Sequence, residues 1–198
     1  MLLEDEKNEK NEALYTSLLF YLAQAYQNVG NEGKSAEYCL RTLNRQLVKD
    51  NVDKSEMSKN CLSLANYYLS YPAHDECDQC LQAALVFSTT ETSLAEIQKL
   101  RVKFYLSLLR NACKTESKSD TLFPSLHLER LKVACVVDCE SARQVLLKLL
   151  SAAAEAQKYY IFDGFVTDYM NIAQDCNFAY KAFSNWESDQ LKQMCDFT

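Results

Sequence analysis

Glycine occurs only at positions 30, 33 and 164 and proline only at 72 and 124 of the 198 residues, which leaves little material for the tight turns of β-hairpins and favours helices. A basic excess is also missing. Lys and Arg number 21 against 27 Asp and Glu, a net charge of −6, so no positive field exists to draw in phosphate backbones or acidic lipid heads, and nucleic acid is not an expected partner. No run of apolar residues is long enough to span a bilayer, so membrane insertion is not expected. The opening Met1-Leu-Leu-Glu-Asp-Glu-Lys is acidic where a secretion signal would be basic and then apolar. The chain is therefore expected in the cytoplasm. Its nine cysteines (39, 61, 77, 80, 113, 135, 139, 176 and 195) are an odd count, mostly at helical core positions, and are expected to be reduced thiols.

Helical periodicity is what the chain does have. From Tyr15 onward Leu19, Leu22, Ala23, Tyr26 and Val29 recur at intervals of three and four until Gly30-Asn31-Glu32-Gly33 interrupts them. Ala36, Cys39, Leu40, Leu43 and Leu47 then form a second stripe, and so short a connection predicts an antiparallel helix hairpin. The pattern repeats: Cys61, Leu64, Ala65 and Tyr68 mark a third helix, Tyr71-Pro72-Ala73 breaks it, and Cys77, Cys80, Leu81, Ala84 and Phe87 mark a fourth. Both hairpins follow the tetratricopeptide order of bulky, small and aromatic residues, with Ser35, Cys39 and Thr42 in the first answered by Cys77, Leu81 and Ala84 in the second. The offset from Ala23 to Ala65 is 42 residues, longer than the repeat unit of about 34, because Val48 to Lys54 inserts polar residues.

A fifth helix is predicted from about Ser93 to Ala112, with Ile97, Leu100, Phe104 and Leu108 inward. Lys114 to Ser125 has no helical period. Beyond it, Leu128, Leu131 and Cys135 form a short stripe and Ala142 to Ala156 a long one. Asp163 is then predicted to cap a helix reaching about Phe183, and Trp186 to open a final short one. The expected fold is an all-α, tetratricopeptide-like solenoid of antiparallel hairpins. It divides into hairpins and a following helix over 1–114, a flexible connector over 115–126, and a second helical segment over 127–198.

Little in this pattern carries chemistry. His74, Cys77 and Cys80 could supply three ligands to zinc, but no fourth is apparent, and both cysteines fall at the buried positions of a repeat helix. Structural cysteines are the preferred reading. The two histidines, 74 and 127, lie in polar sequence beside a turn or connector, and there is no Gly-rich phosphate loop, GxSxG elbow or HExxH pair. Asp163 and Asp168 are spaced for capping and solvation and not for a paired acid and base. An enzyme is not expected, nor a cofactor. Two aromatic clusters, Tyr67-Tyr68-Tyr71 and Tyr159-Tyr160-Phe162-Phe165, could anchor a partner with the half of their rings that does not pack inward.

The stretches YTSLLFYLAQAYQ (15–27) and AEYCLRTLNRQL (36–47) resemble the KIF-binding protein family, the kinesin-binding proteins. FDGFVTD (162–168), Ala173-Gln-Asp175, Phe183 and Trp186-Glu187-Ser-Asp189 resemble the same family in the same order. The likeness is close over residues 14–87 and 159–195 and weaker between them, where this chain has a shorter connector. Family members are longer, with helices on both sides of the matched region, so the chain is expected to be a truncated member or a fragmentary gene model.

The resemblance implies a right-handed helical solenoid whose concave face grips the motor domain of selected kinesins and keeps it from microtubules, without direct tubulin binding. It also implies roles in axonal microtubule organisation, neuronal development and mitochondrial transport, and association with the cytoskeleton. Family positions that contact the motor match Tyr21, Gln24, Gln46, Ser63 and Asn66, the last two only in residue type. Tyr21 and Gln24 are three apart beside the apolar Leu22 and Ala23, so they share a ledge open to a ligand. An acidic chain is also suited to a motor face that is basic because it binds acidic tubulin. The alternative is a generic tetratricopeptide adaptor for a peptide or chaperone, which would want Lys, Arg or Asn where Gln24 and Gln46 stand.

Overall fold

The computed structural model describes residues 2–48, 52–111, 121–128 and 136–195, with side chains described from 11 to 187 among these. Seven helices and no strand occur among the described residues: α1 Leu2–Asn28, α2 Glu32–Gln46, α3 Lys54–Leu69, α4 His74–Val86, α5 Glu91–Arg110, α6 Cys139–Tyr159 and α7 Val166–Cys195. The all-helical expectation holds. The short stripe of Leu128, Leu131 and Cys135 lies almost wholly outside the described residues, as do positions 115–120 of the expected connector.

Local chemistry sets the helix ends. Gly30 has φ +74°, and around it the Gly30 N–H donates to the Gln27 carbonyl at 3.0 Å and the Asn31 N–H to the Tyr26 carbonyl at 2.9 Å. This left-handed terminus stops α1 and satisfies its last carbonyls. Asn31 then starts α2, its side chain accepting from the Lys34 N–H at 3.2 Å. Asp53 and Thr90 cap α3 and α5 in the same way, and Asp138 with Ser141 forms a capping box on α6.

Consecutive helices pack in pairs, α1 on α2, α3 on α4 and α5 on α6, with α7 lying against α5 and α6. Small residues bring the paired helices close. In the first pair Ser35 Oγ donates to the Ala23 carbonyl at 2.9 Å; in the second Cys77 Sγ donates to the Ala65 carbonyl at 3.3 Å. Each bond joins residues twelve apart, and the two are offset by 42 positions, the spacing read from the sequence. The core centres on α3 to α6, where Cys61, Leu81, Ile97, Phe104 and Leu149 are fully buried or nearly so. α1 buries only Thr16, Leu19 and Ala23 among its described side chains.

Two expectations are corrected. Trp186 opens no new helix, because α7 runs unbroken from Val166 to Cys195; Phe183 and Trp186 continue the inward stripe of Ile172 and Ala179, and Trp186 Nε1 donates to the Leu109 carbonyl at 3.2 Å. Asp163 does not cap it. Residues 162–164 form a turn, and the first helical bond runs from the Tyr169 N–H to the Phe165 carbonyl at 2.9 Å, which puts Phe165 at the capping position.

Candidate partner-binding groove

Pairing α1 with α2 and α3 with α4 leaves a groove of about 870 Å³ walled by α1, α2, α3 and α5. Its position follows from the helix faces. Leu19 and Ala23 turn α1 inward, which leaves Phe20, Gln24 and Gln27 along one wall; Cys61, Leu64 and Ala65 turn α3 toward the core, which leaves Asn60, Ser63 and Asn66 along the other. Ala36, Cys39 and Leu43 of α2 make an apolar floor, and α5 closes one side with Glu96, Lys99 and Lys103.

Three of the five residues that the family resemblance implies for the partner contact open onto this one groove: Gln24, Ser63 and Asn66, all exposed. Tyr21 is outside the lining but 64% exposed, its ring edge-on at 5.9 Å to Phe20, which does line it. Gln46 stands apart, half-buried at the end of α2. Of the aromatic clusters, Tyr67 lines the groove and packs on Tyr68 and Tyr71, whereas Tyr159, Tyr160 and Phe165 stack together at the α6–α7 turn, with Phe162 exposed beyond them.

The α5 contribution was missed from sequence. Glu96, Lys99 and Lys103 sit at helical spacing on the polar side of α5, but only the packing of α5 on α3 shows that this side meets the groove. Lys99 Nζ pairs with Asp168 at 3.0 Å and lies 4.7 Å from the centre of the Tyr160 ring. Burial works against its charge, and the hydrogen bond and charge of Asp168 with Tyr160 outweigh it, so the ammonium is held above its ordinary value. The mixture of Glu32, Glu56 and Glu96 with two lysines, amides and hydroxyls over an apolar floor suits recognition of a protein surface.

Burial holds three of the described thiols in the protonated form. Cys39, on the groove floor, is pushed up to about 11 by burial, and Cys61 and Cys77 to about 12, so each stays protonated and weakly nucleophilic at neutral pH. His74, Cys77 and Cys80 are not gathered into a ligand set: the Cys77 thiol is spent on the Ala65 carbonyl, Cys80 is wholly buried, and the His74 ring meets Ser107 Oγ at 3.2 Å. Among the described residues no three His, Cys, Asp or Glu side chains could hold a metal ion.

Among the described residues the fold is thus all-helical, with paired helices around a groove lined by amides, hydroxyls and charges of both signs. Comparison with known proteins narrows this. The family model described as "KIF-1 binding protein C terminal" matches residues 108–196. KIF-binding protein of Xenopus tropicalis is 28% identical over 248 aligned positions, 95% of this chain and 40% of that protein. That of Gallus gallus is 29% identical over 95% of this chain and 41% of its own length, and that of Dictyostelium discoideum 35% identical over 51% and 17%. The resemblance read from the sequence is borne out: the chain is similar to KIF-binding proteins over 95% of its length. It spans about two fifths of the length of the first two of these relatives. No solved structure matches it. No helix among the described residues is long and apolar enough to cross a membrane.

Proposed function

We propose that this chain is a non-enzymatic scaffold that holds a kinesin motor domain in the groove between α1, α2, α3 and α5 and so blocks its engagement with microtubules. The hairpin pairs are read as turns of a tetratricopeptide-like solenoid, with the groove on its concave side. Its setting would be the cytoplasm, at the cytoskeleton, in microtubule-based and axonal transport. The name carried by the relatives supports the partner. The observation that carries the site is that Gln24 of one helix and Ser63 and Asn66 of another, 39 and 42 residues further on, face a single space. The net charge of −6 complements a basic partner surface.

The test is a pull-down against a panel of kinesin motor domains with Tyr21→Ala, Gln24→Ala and Asn66→Ala. Loss of a groove contact from each of two walls is expected to weaken binding by about 1 to 2 kcal/mol per residue. Binding that ignores all three changes would remove the groove from the interface. Lys99 and Lys103 in the groove give the peptide-adaptor reading one observation in its favour, since cations could hold a terminal carboxylate. That reading requires capture of peptides with free C-termini and loss of capture when they are amidated.

A further inference from the structure

We infer that the segment from Thr121 to Leu126 is a lock that fixes the width of the groove by tying α2 to α4 from outside it. Both backbone polar groups of Leu122 are gripped by amide side chains on different helices. Its N–H donates to Gln79 Oε1 of α4 at 2.8 Å, and its carbonyl accepts from Asn44 Nδ2 of α2 at 2.8 Å. The next residue, Phe123, is completely buried in the core, and the Leu126 N–H closes a turn on the Phe123 carbonyl at 3.1 Å. None of Asn44, Gln79 and Phe123 lines the groove.

The mechanical consequence follows from what touches what. Among the described residues the backbone of α1 comes close to that of α2 and of no other helix, and the backbones of α2 and α4 do not approach closely. The backbone of the α1–α2 pair is therefore tied to the remaining helices by α2 on α3 and by this segment. One contact line would leave a hinge, and a second anchor, at Asn44 near the C-terminal end of α2, removes that freedom. The groove lies between the hinged pair and α3 with α5, so the lock sets its opening and pre-forms it. The two gripping bonds are neutral amide bonds, so the lock is insensitive to salt. Its consequence for binding rests on the groove being the partner site; the lock itself does not.

Hydrogen exchange on the full chain, read by mass spectrometry, tests this with Phe123→Ala and Asn44→Ala. Phe123→Ala is expected to speed exchange in α2 by at least about tenfold and to leave α6 unchanged, since only the local opening of the first pair becomes easier. Asn44→Ala should act in the same direction by a few-fold: it removes one grip together with the Asn44 Oδ1 atom, which is buried without a hydrogen-bond partner, and so leaves global stability nearly intact. Should Phe123→Ala not fold, Asn44→Ala decides alone. Unchanged α2 protection, or equal acceleration of every helix, overturns the lock. Motor-domain binding measured on the same proteins separates the two claims. A wild-type chain that binds no motor sinks the partner reading while the exchange data still decide the lock.

Discussion

On α4, Asp78 carries a carboxyl into the packed interior, where the Gln82 amide donates to it at 2.7 Å. Burial pushes this acid from 3.8 to about 6, against the bond from Gln82 and the positive charges of Arg101 and Lys148, which favour ionisation. The folded protein therefore holds a proton that the unfolded chain has released between about pH 4 and pH 6. The contribution of Asp78 to stability is greatest below that window and falls as pH rises through it, by about 3 kcal/mol. Denaturant unfolding from pH 4 to pH 7.5 should show that slope against the same series for Asp78→Asn, which keeps the shape, lacks the charge and should be more stable at pH 7. A parallel pair of curves would mean that another group titrates. Gly30 gives a second residue-scale test. A methyl at this position meets nothing within 4 Å, so Gly30→Ala costs only the left-handed backbone conformation, about 1 to 2 kcal/mol in chemical unfolding.

The helix pairs were legible because their punctuation is local. Gly30 ends α1 and Asn31 starts α2, and the break at Pro72 separates α3 from α4. The C-terminal boundaries were not, because polar Ser184 and Asn185 look like an end while Phe183 and Trp186, three apart, keep the inward stripe in phase. Phe123 was hidden for a different reason: a lone aromatic in sequence without helical period has no partner that periodicity could reveal, and only Asn44 and Gln79, far away in the chain, explain its place. The paired bonds of Ser35 and Cys77 give the elements a prediction of their own. Because a thiol already fills the equivalent place in the second pair, Ser35→Cys should change stability by less than about 1 kcal/mol, whereas Ser35→Leu, forced between α1 and α2, should cost about 1 to 3 kcal/mol. Thermal and denaturant melts distinguish the two; an equal cost for both would mean that the first pair is spaced differently from the second.

At the scale of the whole molecule, function is proposed to lie in a space between elements. The identity of Gln24, Ser63 and Asn66 as candidates came from resemblance, their common space comes from packing, and Gln46 remains outside it. The α5 side of the groove could be assembled only in three dimensions, since Lys99 and Lys103 are separated from α1 by most of two hairpins. The most direct measurement is co-sedimentation of a kinesin motor domain with microtubules in the presence of excess chain, beside a Gln24→Ala/Asn66→Ala double variant. The wild-type chain should keep the motor in the supernatant and the double variant should release it to the pellet; a motor that pellets equally with both, or with neither, contradicts occlusion by the groove.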